Sequence, residues 1–484
     1  MLRFLLNNTL IEESGLPPDT TVLDYLRERR RLTGTKEGCA SGDCGACTVV
    51  VASVDGGRLR YRSVNSCIAL AGDLHGRQLI TVEHLADNGR LHSVQQAMVD
   101  YHGSQCGFCT PGFVMSIFAL TKNPNQVDSR HKRRSVEHYL GGNLCRCTGY
   151  RPIIDAATAA VDESLAGSTD QFTDSEANAV KRLQSIVDSD ASDGFHRPTT
   201  MDALFKVMVT HPDAPVVAGC TDFSLEITQR LKQYPQVISL SGIDELKDIE
   251  ELDGQWHIGA GCSIATLLDA LAPLNSDIGD MLYRYGSTQV RNQATVGGNI
   301  GNASPIGDLP PLFIALKADV VLRCANGERT IPLESFFIDY KKTALEKNEI
   351  IAGVRFTSDR LTTASSVLRV YKISKRIDDD ISSVCAVFHC SNVGAETLEL
   401  TAAFGGMAAI PRRATQLEQA ALKGVADPVQ IKHALQQDFQ PISDARASAD
   451  YRMSVATNLY VKFLAELQSS SELHRLHHIE VGHG

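Results

Sequence analysis

Eight of the thirteen cysteines lie within the first 147 residues, and their spacing divides them into two sets of four. Cys39, Cys44 and Cys47 read C-x4-C-x2-C, and Cys67 follows after nineteen residues. Gly38, Gly42 and Gly45 lie between them. Glycines let a loop turn sharply and come close to whatever it encloses. The N–H groups of such a loop can point at sulfur and stabilise a negatively charged inorganic core. The order of thiols is that of a plant-type [2Fe–2S] site. A structural zinc site also takes four thiolates, more often as two separated C-x2-C knuckles. Asp43 and Lys36 are expected to face solvent. The second set is two close pairs, Cys106/Cys109 in QCGFC and Cys145/Cys147 in CRC. A C-x-C pair is tight for a zinc knuckle and admissible for iron–sulfur. Thiolate clusters exchange single electrons and perform no hydrolysis or group transfer, so two of them predict an electron relay. The other five cysteines, Cys220, Cys262, Cys324, Cys385 and Cys390, have no ligand spacing and read as small buried hydrophobes.

The elements that must hold these thiols are legible nearby. MLRFLLNNTLIEES reads as two strands around an Asn-Asn turn, and TTVLDYLRERRRL as a helix with Val22, Leu23 and Leu26 on one face. TVVVASVDGGRLRYRSVNSC is a strand, a turn and a return strand, with Cys67 just beyond the hairpin. Together these predict a small α+β ferredoxin-like domain. Pro111 suits a first helical turn, and Phe113, Val114, Ile117, Phe118 and Leu120 give that helix an apolar face. Pro152 likewise opens IIDAATAAV. Both cysteine pairs are therefore expected at helix N-termini, where unpaired N–H groups favour negative charge, in a small helical bundle.

Further along, residues 163–195 are poor in aromatics and rich in Ser, Asp and Ala. They read as a linker with a short helix near KRLQSIV, wrapped against the domains rather than dangling. Thr199 or Thr200 is expected to cap a helix over DALFKVMV. Val216 and Val217 then form a short strand ending in AGCTD, where Gly219 and Thr221 shape a turn able to hold a phosphate on backbone amides. A second loop, QATVGGNIGNASPIGDLPP, crowds Gly297, Gly298, Asn299, Gly301, Asn302 and Ser304 ahead of Asp308, with many donors. It matches neither a dinucleotide fingerprint nor a P-loop. Beside two one-electron carriers, a phosphate-bearing redox cofactor is the better expectation, and flavin fits because it handles one electron or two. Lys372, Lys375 and Arg376 precede Asp378, Asp379 and Asp380. SVCAVFHC and LELTAAFGGM suggest an antiparallel sheet, followed by helices near 416–424, 428–437 and 446–465. The terminal stretch, with four histidines, reads as a frayed tail.

The 484 residues carry a net charge of −10, with 43% hydrophobic and 21% charged. That balance suits a multidomain globular protein and excludes a general attraction to nucleic acid or anionic membrane. The basic run HKRR at 131–134 reads as a solvated loop. No secretory signal or run of about 18 apolar residues is present. The cytoplasm is the expected compartment, and a disulfide framework is not expected.

The whole pattern resembles the iron–sulfur and flavin-bearing portion of the molybdenum hydroxylase family, in particular its xanthine dehydrogenase branch. TGTKEGCASGDCGACTVVV resembles the first cluster loop with Cys67 as fourth ligand. SQCGFCTPGFVMS and GGNLCRCTGYRPI resemble the second cluster domain, AGCTDFSLEI and TVGGNIGNASPIGDLPP the two flavin loops, and YKISKRIDDDIS the segment beside the flavin. Departures are Cys220, where the family commonly has asparagine, and a looser YGSTQVRN. The resemblance implies a fold of four parts: a ferredoxin-like domain over 1–84, a helical [2Fe–2S] domain over 85–162, and, beyond the linker, an α+β FAD-binding domain of the PCMH type over 196–368. The fourth is a CO dehydrogenase flavoprotein C-terminal-like α+β domain over 369–470, with the tail at 471–484. It implies FAD near Val217, Ala218, Gly219, Cys220, Thr221, Asp222, Phe223, Tyr285, Thr295, Gly298, Asn299, Asn302, Ser304, Asp308, Lys372 and Asp378. Gln105 would touch a molybdopterin held by a separate large subunit, expected because the sequence holds no counterpart of that domain. In the implied route, the partner oxidises hypoxanthine to xanthine and urate. Electrons then pass through the second cysteine set, the first set and FAD to NAD+, in a dimer of heterodimers. No residue of this chain is expected to hydroxylate substrate. A related aldehyde or carbon monoxide oxidoreductase, a zinc-bearing scaffold, and an NADH-linked module with a non-molybdenum partner are the alternatives.

Overall fold

The structure is a computed structural model that describes every residue except 187–190, 193, 363–365, 392–398 and 469–484. The histidine-rich tail lies outside the described residues. At the N-terminus, β1 (Leu2–Leu6) and β2 (Thr9–Glu13) pair antiparallel around Asn7-Asn8. The chain then forms α1 (Val22–Asp24), which runs on as a π-helical turn over Tyr25–Arg29. The Thr21 hydroxyl caps it by accepting from the Asp24 N–H. Strands β3 (Thr48–Asp55) and β4 (Arg58–Asn65) make the expected hairpin. With β5 (Gln78–Ile80) they complete a sheet of order β2-β1-β5-β3-β4. Alternation along the strands gives the sheet two apolar faces. Phe4, Leu6 and Val49 pack on Val22, Tyr25 and Leu26, while Leu5, Val50, Ala52 and Ile80 face the next domain.

That domain is helical: α2 (Ser93–Asp100), α3 (Thr110–Thr121), α4 (Lys132–Tyr139) and α5 (Arg151–Leu165). Pro111 and Pro152 stand in the first turns of α3 and α5, as the sequence predicts. The segment read as a linker differs. Residues Gln171–Gln184 form a further helix, α6, capped by Asp170, whose carboxylate accepts from the Phe172 and Thr173 N–H groups. Phe172, Ala179, Val180 and Leu183 are buried in the helical core. One apolar residue every turn was enough to make an amphipathic helix, although composition alone resembled a linker.

The third unit begins with α7 (Met201–Thr210), capped by Thr200. A small sheet places Val216–Val217 beside Val237–Ser239 in parallel, and α8 (Ser224–Thr228) follows the first glycine turn. A five-stranded antiparallel sheet then carries the main core, running Ile249–Leu252, Gln255–Gly259, Ile350–Thr357, Asp319–Cys324, Gly327–Pro332. Short helices over Thr288–Arg291, Val296–Gly301 and Leu309–Ala315 lie against it. The last unit pairs Val367–Ile373, Val384–Ser391, Glu399–Gly405 and Arg412–Arg413 antiparallel. Helices over Thr415–Leu422, Pro428–Asp438 and Ala449–Gln468 follow, with Phe388 stacked on Phe463 in their common core. This is the multidomain α+β architecture expected from the sequence.

The first three units meet at a buried polar knot. Gln289, fully buried in the third unit, donates from Nε2 to Thr48 Oγ1 at 3.1 Å, Ser116 Oγ at 3.2 Å and Asn143 Oδ1 at 2.9 Å. Asn143 donates to the Gly45 carbonyl at 3.0 Å. The Thr48 and Ser116 hydroxyls each donate once in turn, to Gly45 O and Asn143 Oδ1. The two Gln289 amide hydrogens are thus shared among three acceptors, and its Oε1 is left without a hydrogen-bond partner among the described residues. Cβ atoms at Gly45, Gly112 or Gly142 would collide with neighbouring backbone or with Ser287. Gly45 also has φ of +67°, which a side chain disfavours.

Gln289→Ala deletes the amide that joins three domains. The expected loss is about 1–3 kcal/mol, because buried partners are left short of a bond. It is read as a lower thermal midpoint of the cofactor-loaded protein. An unchanged midpoint would mean that the junction does not depend on this side chain.

Candidate functional site

The structure brings the first four thiols together. Cys47 Sγ and Cys67 Sγ are 3.3 Å apart and buried, while Cys39 and Cys44 are half-buried. The N–H groups of Ser41 and Asp43 both point at Cys39 Sγ, at 3.4 and 3.3 Å. Contacts from Cys44 and then Cys67 hold the Cys39 thiol well below its ordinary pKa. A Cβ on Gly38 would stand 2.7 Å from Cys44 Sγ, so glycine is what lets the backbone wrap this tightly. Asp43 is exposed, as expected, whereas Lys36 folds back to donate to the Thr33 carbonyl. Converging thiols, inward N–H groups and a backbone that a methyl group would jam fit an iron–sulfur core. Among the described residues, no three Cys, His, Asp or Glu side chains surround a single point as one metal ion would require.

The second set converges at the protein surface. Cys106 meets Cys147, and Cys109 meets Cys145. Cys106 and Cys147 are exposed, as is Gln105 beside them. Cys109 is the N-cap of α3, as expected. The other pair stands off from α5 by the turn Thr148–Tyr150, so it is not at the helix end itself. That turn supplies its own donors: the Thr148 hydroxyl and N–H reach Cys145 Sγ at 3.1 and 3.4 Å. Exposed Leu91, Val99, Tyr101, Phe108, Leu144 and Tyr150 all belong to this domain.

Between the two sets the backbone is continuous through one hydrogen bond. The Leu144 N–H, adjacent to Cys145, donates to the Cys44 carbonyl at 3.0 Å. On its other side the first set is covered by α8. Leu225 packs with Cys47, Cys67 and Ile68, the Ser224 hydroxyl donates to the Ile68 carbonyl, and the Gln229 amide donates to the Cys39 and Ala40 carbonyls at 3.1 and 2.9 Å. Since α8 begins directly after the first glycine turn, that turn, the first cysteine set and the second set follow one another in space.

The two glycine loops lie side by side, with Gly219 seated so closely on Gln293 and Ala294 that a Cβ would collide. Cys220 is buried at φ of +60°, a left-handed position that asparagine adopts readily. Among the described residues, the Thr221 and Asp222 N–H groups donate to nothing and remain available. The second loop differs from expectation. It is a short helix whose Thr295 hydroxyl caps the Gly298 N–H, while the Gly297 N–H donates to the Ala260 carbonyl. Gly297 packs so closely on Ala260 that a Cβ would collide there. Asn299 donates to the Tyr285 hydroxyl at 2.9 Å and accepts from the Leu309 N–H. Ser304 accepts from the Ile306 N–H, and Asn302 is half-buried nearby. Burial, with Asp308 and Asp222 close by, pushes the Tyr285 phenol up. Asp308 is itself engaged across a domain boundary, by Lys372 Nζ at 2.5 Å and the Ser382 hydroxyl at 2.6 Å, all buried. A nucleotide cofactor fits these paired loops, since the N–H groups of Thr221 and Asp222 are of the kind that phosphates accept from.

Asp378, expected beside the flavin, makes a contact to the helical domain. It stands 2.7 Å from His138 Nδ1 on α4, tying the loop after Val367–Ile373 to the helical domain. The His138 ring lies flat on Tyr283 at 3.5 Å. Burial lowers the His138 pKa; against burial, the His138 contact holds the Asp378 carboxyl below its usual value. No sequence periodicity marked His138, Asn143 or Gln289; only their polarity beside apolar helix faces was available as a signal. Neighbouring Asp379 is raised to about 6 by burial and by Asp43 of the first cysteine loop.

Known families match along the chain in the same order. Residues 6–72 match a 2Fe-2S iron-sulfur cluster binding domain and 81–158 a [2Fe-2S] binding domain. Residues 189–357 match the FAD binding domain in molybdopterin dehydrogenase, and 369–467 the CO dehydrogenase flavoprotein C-terminal domain. A xanthine dehydrogenase of Emericella nidulans is 32% identical over 97% of this chain and 39% of its own length. A xanthine dehydrogenase/oxidase of Rattus norvegicus is 31% identical over 84% of this chain and 34% of its own. The chain thus spans well under half the length of these relatives. Among solved structures, the reconstituted CO dehydrogenase from Oligotropha carboxidovorans superposes with TM-score 0.53 at 20% identity, over 58% of this chain and 100% of that one. Carbon monoxide dehydrogenase from Hydrogenophaga pseudoflava gives 0.52 at 24%, over 58% and 98%. At that identity the likeness concerns the fold.

A carboxyl raised in the folded state makes folding take up protons between its unfolded value and about 6. Stability from this group is therefore greatest at low pH and falls as pH rises through that window. Asp379→Asn is expected to raise the thermal midpoint at pH 7 and to lose that advantage toward pH 4. A difference independent of pH would refute the assignment.

Proposed function

Because the chain belongs to the molybdenum hydroxylase family, as a portion bearing its iron–sulfur clusters and flavin, we propose that it carries electrons away from a molybdopterin centre on a large partner subunit. The chain is an oxidoreductase module with two [2Fe–2S] clusters and FAD. Cys106, Cys109, Cys145 and Cys147 would hold the outer cluster, and Cys39, Cys44, Cys47 and Cys67 the inner one. When bound, the clusters carry single electrons and the flavin joins one-electron to two-electron chemistry.

The observation that carries this reading is the spatial order: surface thiols, buried thiols, flavin turn. The chain's own residues maintain it. Leu144 bonds the outer cysteine loop to Cys44, Gln229 fastens the inner loop to α8, and α8 leads to the turn where Thr221 and Asp222 offer N–H groups to the cofactor's phosphates. Lys372 and Ser382 neutralise and orient Asp308 beside Tyr285. The exposed apolar residues around Cys106 and Cys147, with Gln105 among them, support a partner docking there, since clustered apolar exposure is uncommon on a free surface. No helix among the described residues is long and apolar enough to cross a membrane, and a reducing compartment such as the cytoplasm suits free thiols.

The broader reading, an equivalent module in a molybdenum hydroxylase of unspecified substrate, has better support than the purine-specific one. Fold neighbours include carbon monoxide dehydrogenases, while the sequence relatives are xanthine dehydrogenases. Within that breadth, sequence likeness favours hypoxanthine and xanthine as substrates of the partner and NAD+ as final acceptor, with the dimer of heterodimers as the assembly. A zinc scaffold is disfavoured by the two matched iron–sulfur domains.

Purified with its partner, the protein is expected to hold about four irons per chain, the content of two [2Fe–2S] clusters, and extractable FAD. Cys147→Ser should lose about half that iron and keep the flavin. NADH should still bleach the flavin of the variant, and xanthine should not. Retained xanthine-to-NAD+ turnover would sink the electron route. Bleaching of the wild type by NADH but never by xanthine would leave the module and remove the purine substrate.

A further inference from the structure

A cavity of about 690 Å³ lies between the ferredoxin-like sheet and the flavin domain. It is of the size that small organic ligands occupy. Val51, Val64 and Leu70 give it an apolar wall, and the flavin turn contributes Ala218, Gly219 and Cys220 to its far side. Although the protein carries a net charge of −10, this cavity is lined by more cations than anions: Arg60, Arg62, Arg77, Arg197 and Lys247 against Asp55, Asp73 and Asp244.

Two of the three acids are paired with cations, and the third, Asp73, is bonded to hydroxyls while its charge acts on Arg77. Asp55 pairs with Arg60 at 3.5 Å, Asp244 with Lys247 at 2.7 Å, and Asp73 accepts from the Ser239 and Ser241 hydroxyls at 2.7 and 2.6 Å. Arg62 and Arg77 have no ion pair or hydrogen bond to their guanidinium groups among the described residues. Both project from one domain toward the other. Burial lowers the pKa of each; for Arg62 it falls to about 10, with Arg60 and Arg77 repelling it further. Both guanidiniums are half-buried and, although nearby carboxylates reach them through space, neither is bonded to one; such groups are available to an incoming anion, and guanidinium forks match phosphate oxygens.

We propose that this cavity is a nucleotide phosphate site, in which Arg62 and Arg77 grip the phosphates while the apolar wall receives the rest of the ligand. The phosphates have two possible sources of the same chemistry: the diphosphate of the flavin, in which case the site rests on the flavin reading above, or a free nucleotide that binds beside it. A nucleotide is favoured over bare phosphate by the volume and the apolar wall.

The test uses the cofactor-loaded complex, calorimetric titration with ADP, and inorganic phosphate as a control. The variants are Arg62→Gln with Arg77→Gln, and the conservative pair Arg62→Lys with Arg77→Lys in case the first does not fold. If the flavin-loaded wild type binds ADP more tightly than phosphate, and the glutamine pair weakens ADP by about tenfold or more while keeping flavin, the site takes a free nucleotide. If the wild type ignores ADP, and the glutamine pair keeps its iron but retains flavin about tenfold more weakly or worse, the arginines hold the flavin's own diphosphate. The lysine pair should fall between, since it keeps charge and loses the fork. ADP binding that is unchanged in the variants overturns the proposal, as does indifference of the wild type to ADP together with unaltered flavin affinity. Wild-type protein without flavin would defeat the flavin reading alone, because the ADP titration would still decide this site.

Discussion

One buried amide holds the arrangement together. Single electrons move between carriers at rates that fall steeply with separation, so a relay works only if its domains are fixed to within a bond length or so. Gln289 supplies that fixity from the flavin domain by bonding at once to Thr48, next to Cys47, and to Asn143, two residues before Cys145. The glycines at 45, 112 and 142 let three backbones approach to the distance those bonds require. A hydrophobic contact of similar area would hold the domains with less positional definition, because apolar packing is non-directional, whereas hydrogen bonds require their donors and acceptors in one register. Gln289 Oε1 keeps no hydrogen-bond partner among the described residues, so the knot is held entirely through the amide's donors.

Around this knot, several interdomain contacts fall beside the cysteine sets and the flavin loops. Leu144 and Gln229 grip the inner cysteine loop from opposite sides through its carbonyls, at Cys44 and at Cys39 and Ala40. Lys372 and Asp308 are a fully buried ion pair across the flavin and C-terminal domains. Such a pair costs desolvation that its attraction only roughly offsets, so its contribution is better understood as fixing where Tyr285 and the last sheet sit. His138 and Asp378 do the same between the helical domain and the aspartate run. The protein spends polar groups where position matters and apolar ones elsewhere.

The chemistry was far more legible in the sequence than the assembly. Metal-type thiols must recur at short, fixed spacings, so Cys39 through Cys147 could be sorted by counting. Strand alternation, the D-G-G turn and Pro111 and Pro152 announced the elements that hold them, because those signals are local. The knot was not legible. Ser116, Asn143 and Gln289 come from distant parts of the chain, and no periodicity links them. The segment 171–184 was misread because a helix with one buried residue per turn and an otherwise polar surface has the composition of a linker. Of the donors expected along the loop from Gly297 to Ser304, the Gly297 and Gly298 N–H groups are bonded within the fold: glycine permits both exposure of N–H groups and tight packing, and sequence does not say which one the fold uses.

The ferredoxin-like domain precedes, along the chain, the elements that shut over its cysteine loop. Everything that shuts over its cysteine loop, Asn143 and Leu144 on one side and α8 with Gln229 on the other, is encoded downstream. During translation the loop around Cys39 to Cys47 is therefore open for as long as it takes the ribosome to reach the flavin domain. Domains generally fold in the order they emerge. Loading of the inner metal centre is thus easiest before the flavin domain folds over it, whereas the thiols of Cys106 and Cys147 stay exposed afterwards.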